Sequence, residues 1–96
     1  MTVLVTLEAP VKSSSVADLP RLLRELLPST RAFAGCGKVS GYLSEDGKTL
    51  ILVEYWESKD AQLKYGAWRV TTEHGKQLRA MLEGPPIIRY FDPLDV

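Results

Sequence analysis

The sequence predicts an α+β domain, an antiparallel sheet with its helices gathered on one face, and three observations carry that prediction. An apolar run, Leu50-Ile51-Leu52-Val53, passes through Glu54-Tyr55-Trp56-Glu57 to Ser58, so a strand hands over directly to a capped helix. Asp46-Gly47, just upstream, is a hairpin signal because glycine accepts the positive φ that such a turn needs. Leu19, Leu22, Leu23, Leu26 and Leu27 recur at helical spacing and form a wide apolar stripe.

The elements follow in order. Thr2 to Glu8 is β-branched and apolar and reads as a first strand, with Val3, Val5 and Leu7 on one face and Leu4 on the other. Pro10 to Ser15 is a loop in which Ser14 or Ser15 can cap the leucine helix. Pro20 is tolerated only in a first turn, which starts that helix near Ala17 or Asp18, and Pro28 is expected to kink it. Arg21, Arg24 and Glu25 fall on its wet side, and Gly35 and Gly37 end the element. Lys38 to Ser44 and Lys48 to Glu57 are the second and third strands. Ser58 caps a helix from Lys59 to about Glu73, with Ala61, Tyr65, Trp68 and Thr72 on one face. His74-Gly75 reads as a break, Lys76 to Leu82 as a short helix stopped by Gly84-Pro85-Pro86, and Ile87 to Asp92 as a fourth strand.

The order β-α-β-β-α-(α)-β is that of a ferredoxin-like split βαβ sheet with helices on one face. The third strand is apolar at consecutive positions, so both its faces need cover. The helices supply one. A second copy of the chain, docked sheet to sheet around a barrel-like centre, supplies the other, and a homodimer is expected.

Bulk properties narrow the function. The 96 residues suffice for one domain, residues 1–96. Twelve basic residues balance twelve acidic ones, so no net basic field attracts nucleic acid, and a small neutral or weakly charged partner fits better. Cys36 is the sole cysteine, which excludes an internal disulfide and suits a reducing compartment. No apolar run approaches the roughly 20 residues of a membrane span, and Met1-Thr2-Val3-Leu4-Val5 has no charged leader, so a cytoplasmic location is expected.

Several of these residues also carry a likeness. Glu54-Tyr55-Trp56-Glu57-Ser58, then Ala61, Tyr65 and Ala67-Trp68-Arg69, and the ending Gly84-Pro85-Pro86-Ile87-Ile88-Arg89-Tyr90-Phe91 resemble the antibiotic biosynthesis monooxygenase (ABM) family, quinol monooxygenases of the dimeric α+β barrel superfamily. The likeness runs from the Val3 strand to Phe91. It implies a homodimer through the sheet face and a monooxygenase of quinols or anthrones that works without cofactor, metal or flavin. The chain departs from the family pattern at Tyr65, where many relatives have histidine. It contains no asparagine, so it cannot supply the Asn, Trp and His set of related haem-degrading enzymes.

The expected pocket lies between sheet and helices. The candidate catalytic residues are His74, Tyr65 and Trp68, and the candidate substrate-binding residues are Tyr42, Glu54, Arg69 and Tyr90. His74 titrates near neutrality and can act as a base toward a phenol, or it is a polar residue at a helix end beside Gly75. Tyr65 and Trp68, one turn apart, can hold a planar ring or pack on the sheet. Glu54 interrupts an apolar strand, so it is either a base with a raised pKa or the partner of an arginine such as Arg89 across the sheet. Arg69 and Arg89 can steady an oxyanion or serve in ion pairs. Trp56 reads as core or interface. Cys36, with no histidine near it in sequence, is not read as a nucleophile, and one histidine with one cysteine makes no metal cluster. The rival reading is a non-catalytic dimer, or a binder of small aromatic ligands, on the same fold.

Overall fold

The computed structural model describes residues 2–96. Strands β1 (Val3–Pro10), β2 (Cys36–Leu43), β3 (Thr49–Trp56) and β4 (Ile87–Phe91) form one antiparallel sheet in the order β2-β3-β1-β4. Helices α1 (Leu19–Arg31), α2 (Lys59–Arg69) and α3 (Glu73–Met81) complete the α+β fold that the sequence pattern predicts. No helix among the described residues is long and apolar enough to cross a membrane.

Register decides which side chains face the helices. Val39, Glu54, Val5 and Tyr90 form one row across the four strands, and Gly41, Leu52, Leu7 and Ile88 the next row on the same side. Leu50, Leu52, Val39 and Ala9 pack there against Leu22, Leu26, Leu27 and Leu78 from α1 and α3. A second cluster joins Val5, Trp56 and Tyr65, with Phe33 packed against it. The alternate residues of each strand point to the opposite side, where Tyr42, Tyr55, Ile87 and Phe91 are exposed. Arg89 lies on that open side, facing Thr6 and paired with Glu8 at 3.9 Å. It therefore cannot meet Glu54: the two-residue period of the strands places them on opposite faces of the sheet, and the sequence-based pairing of Glu54 with Arg89 is corrected.

Local chemistry explains the ends of the elements. Ser58 caps α2 by accepting from the Ala61 amide at 3.1 Å, as the sequence suggests. Gly47 has φ 73° in the β2–β3 turn, and Asp46 braces that turn from the Ser44 hydroxyl and the Lys48 amide. Ser13–Ser15 form a short 3-10 turn rather than a cap, and α1 starts at Leu19 behind Asp18. Pro28 sits inside α1, which continues to Arg31.

The junction after α2 also differs from the sequence-based reading. The break falls at residues 70–72, and His74-Gly75 belongs to the first turn of α3. Thr72 caps that turn, its hydroxyl accepting from the Gly75 amide at 3.0 Å. Gly75 is glycine because of a close approach: a Cβ there would lie 2.0 Å from the Arg69 carbonyl oxygen. Gly75→Ala is therefore expected to push α3 off the end of α2 and cost about 2–3 kcal/mol, within the usual range for overpacking a tight contact. Urea denaturation of the variant beside the parent chain measures it.

Candidate functional site

A cavity of about 760 Å³ lies between the helix-facing side of the sheet and helices α2 and α3. Its long walls are apolar, with Leu7 and Leu52 from the sheet, Leu26 from α1, Leu78 from α3 and Ile88 from β4. One end is polar. Glu54 of β3 and Gln62, Tyr65 and Arg69 of α2 line it, and all four are buried. Gln62, Tyr65 and Arg69 are spaced by three and four along α2, so they share one stripe. This stripe, and not the Ala61–Trp68 face, is the one α2 buries.

Arg69 is the anchor of that end. Its Nε donates to the Tyr65 hydroxyl at 2.9 Å. Its Nη2 donates to Ser29 Oγ at 2.7 Å, Thr30 Oγ1 at 2.9 Å and the Leu26 carbonyl at 3.1 Å. Those acceptors are all neutral oxygens, and three of them belong to the last turns of α1. Nη1 has only a long contact, 3.4 Å to Thr72 Oγ1, so one of its two N–H groups has no acceptor among the described residues. The Tyr65 hydroxyl is also bonded to Thr30 at 2.6 Å, which commits it to the scaffold. Tyr65 thus offers the cavity its ring.

Glu54 is 3% exposed and takes one hydrogen bond, from the Trp56 indole Nε1 at 2.7 Å. Burial pushes its carboxyl pKa up, and the indole N–H opposes that only in part. No cation among the described residues pairs with it within 4 Å. Tyr90, two strands away in the same row, donates its hydroxyl to Gln62 Oε1, and the Lys59 ammonium sits 4.7 Å above its ring. Burial first, and the Glu54 charge second, raise the Tyr90 phenol pKa.

The other candidate residues lie elsewhere. Trp68 is 39% exposed on the outer side of α2, 5.4 Å from the Phe33 ring and 4.7 Å from the Arg69 guanidinium carbon, and it does not line the cavity. The three- and four-residue steps that carry Arg69 inward turn Trp68 outward. His74 is half exposed in the first turn of α3 and faces Glu25 of α1 at 3.8 Å, away from the cavity wall. Tyr42 borders a separate groove of about 360 Å³ between α1 and β2. Of the seven candidates, Glu54, Tyr65 and Arg69 come together in the lining, with Tyr90 joined through Gln62. Gln62 and Thr30 were missed by sequence reasoning. The polar stripe of α2 is the signal that points to Gln62, whereas Thr30 becomes visible only once α1 lies against Arg69. Among the described residues, no three His, Cys, Asp or Glu side chains converge as metal ligands would.

Glu54 gives a pH-dependent stability. Its folded pKa lies above its unfolded value, so its contribution is fully present below the ordinary carboxylate pKa and is lost as pH rises through the raised one. Glu54→Gln keeps an acceptor for Trp56 and carries no charge. Its Tm relative to the parent is expected to increase as pH rises from about 4 to about 8. Thermal melts at a series of pH values read that difference directly.

The sequence model of the family described as "antibiotic biosynthesis monooxygenase" matches residues 2–80. Solved structures resemble the whole chain. Rv0793 from Mycobacterium tuberculosis is 27% identical, with a TM-score of 0.75 over 100% of this chain and 98% of that one. A monooxygenase from the gene ActVA-Orf6 of Streptomyces coelicolor, in complex with the ligand nanaomycin D, is 22% identical, with a TM-score of 0.78 over 98% of this chain and 88% of that one. PA3566 from Pseudomonas aeruginosa is 21% identical, with a TM-score of 0.74 over 97% of this chain and 94% of that one. No curated protein sequence matches. With the family match spanning most of its length and the fold shared from end to end, the chain belongs to the antibiotic biosynthesis monooxygenase family.

Proposed function

We propose that the protein is a cofactor-independent monooxygenase of small electron-rich aromatics, of the quinol or anthrone type, working as a homodimer through the open face of the sheet. One observation carries the reading. A buried carboxyl, Glu54, and a buried guanidinium, Arg69, line one apolar cavity and form no ion pair with each other. Burying two such groups unpaired is costly, and an occupant that meets both offsets the cost. A phenol or an enolisable anthrone is such an occupant, with a proton for the carboxylate and an oxygen for the guanidinium N–H. The Streptomyces relative named a monooxygenase holds a small-molecule ligand, nanaomycin D, which supports a small-molecule site in this fold.

The chemistry follows from those two groups. Ionised Glu54 takes the substrate proton, and its raised pKa makes it the stronger base. Arg69 Nη1 donates to the oxyanion that results. The anion gives one electron to dioxygen, and superoxide combines with the resulting aryloxyl radical at a ring carbon to give a peroxide anion. Protonated Glu54 returns its proton to give the hydroperoxide. Loss of water from that species leaves the quinone, so one substrate and one O₂ yield one quinone and one water. Leu7, Leu26, Leu52 and Leu78 keep solvent from the radical pair. The electrons come from the substrate itself, so the scheme calls for no metal or flavin. The single free thiol, Cys36, suits a reducing cytoplasmic setting.

Oxygen uptake with a dihydroxynaphthalene and with anthrone tests this. Equal molar consumption of O₂ and substrate is expected, and kcat/KM should drop about 10²–10³-fold in Glu54→Gln, the usual scale for removing a general base. Activity should fall as pH drops through the raised Glu54 pKa, placing the acid limb above the usual carboxylate range. Ligand binding without uptake would leave a binder of aromatics in place of an enzyme.

The dimer is supported by the open sheet face, where Tyr55, Phe91 and Ile87 are 42%, 44% and 52% exposed beside Leu4, Ile51 and Val53. Sedimentation equilibrium should give twice the 10.7 kDa of one chain. Val53→Glu, which buries a charge at the centre of that face, should weaken association at least about 30-fold.

A further inference from the structure

The chain as a whole is neutral, but the cavity wall is not. Lys12, Arg69, Lys76 and Arg79 line it against the single acid Glu54, whose burial favours its uncharged form. Arg69 belongs to the polar end. The other three cations stand in no ion pair among the described residues.

Their positions are ordered along α3. Gly75, at its start, packs on the Arg69 carbonyl. At its finish the Lys12 amide donates to the Met81 carbonyl at 2.9 Å, which fixes Lys12 beside the last turn that carries Arg79. Along α3, Arg79 stands four residues past Gly75, about 6 Å at 1.5 Å per residue, and Met81, which holds Lys12, stands six residues past it, about 9 Å. Between the two ends the wall is Leu7, Leu52, Leu78 and Ile88. The cavity is thus polar at one end, apolar along its middle and cationic at the other end.

We infer that the cavity takes an aromatic carboxylic acid, with its phenolic ring toward Glu54 and Arg69 and its carboxylate, on a short arm, between Lys12 and Arg79. The inference rests on the aromatic-substrate reading above and adds the second functional group. One aromatic ring with a two-carbon arm to its carboxylate matches a span of about 6–9 Å. Exposed ammonium and guanidinium groups each contribute little to such a contact, and together they favour the acid over a neutral analogue about tenfold, or about 1.4 kcal/mol. Lys76, midway along α3, adds to the same field.

The test uses a phenol with a propanoate arm and its methyl ester, titrated by calorimetry into the full chain. The acid should bind about tenfold tighter than the ester, and high salt should shrink that ratio. In the Lys12→Gln, Arg79→Gln double variant the ratio should approach one. Both side chains are exposed, and an unchanged melting curve checks that the variant is folded. Equal binding of acid and ester, a ratio that survives loss of both cations, or binding of neither probe would overturn the inference. Oxygen uptake on a neutral dihydroxynaphthalene together with a ratio of one would sink this inference and leave the monooxygenase reading standing. A clear preference for the acid with no oxygen uptake on any quinol would do the reverse.

Discussion

The guanidinium of Arg69 holds the helical layer together where it matters for the cavity. It reaches from the last turn of α2 to the Leu26 carbonyl, Ser29 and Thr30 near the end of α1, and it grips the Tyr65 hydroxyl on the way. Hydrogen bonds to a charged group are worth more than neutral ones, and removing such a donor strands several buried acceptors at once. The consequence is geometric. With α2 fixed to α1, the side chains of Gln62 and Tyr65 are held above β3, and the space beneath them stays open. Trp68 and Phe33 stack over the outside of this knot and shield it from water. One arginine therefore serves both the scaffold and the site, with five contacts committed to protein oxygen and one N–H group to spare.

Much of the fold was legible because it depends on short-range rules. Asp46-Gly47 marked the hairpin, Ser58 the start of α2, and the leucine stripe the buried face of α1. The end of α2 was not legible. The sequence runs that helix to about Glu73 with Gly75 as its terminator, whereas α2 stops at Arg69 and Thr72 caps the next helix. In the fold Gly75 is the residue that lets the next helix touch the Arg69 carbonyl. A glycine that breaks a helix and a glycine that admits a close neighbour look the same in a sequence.

The site was legible in its composition more than in its arrangement. Glu54 drew attention as a carboxylate in an apolar strand, and it is buried in the cavity wall. Its partner was a different matter. Cross-strand proximity suggested Arg89, but parity along β4 puts that arginine on the far side of the sheet. On α2, the choice between the Trp68 face and the Arg69 face turns on a rotation of about 100° per residue. An apolar bias favours the tryptophan face, and the buried polar network selects the other.

The hydrogen bond between Trp56 and Glu54 has a spectroscopic consequence. An indole that is wholly shielded from solvent, with its N–H on a carboxyl group, emits in a field set by that carboxyl. Ionisation of Glu54 places a full negative charge 2.7 Å from the ring nitrogen, and protonation removes it. The tryptophan thus serves as a built-in optical indicator of the acid's charge. With Trp68 replaced by phenylalanine, the emission maximum of the remaining indole follows the state of the carboxyl during a titration, with no substrate present and no label added.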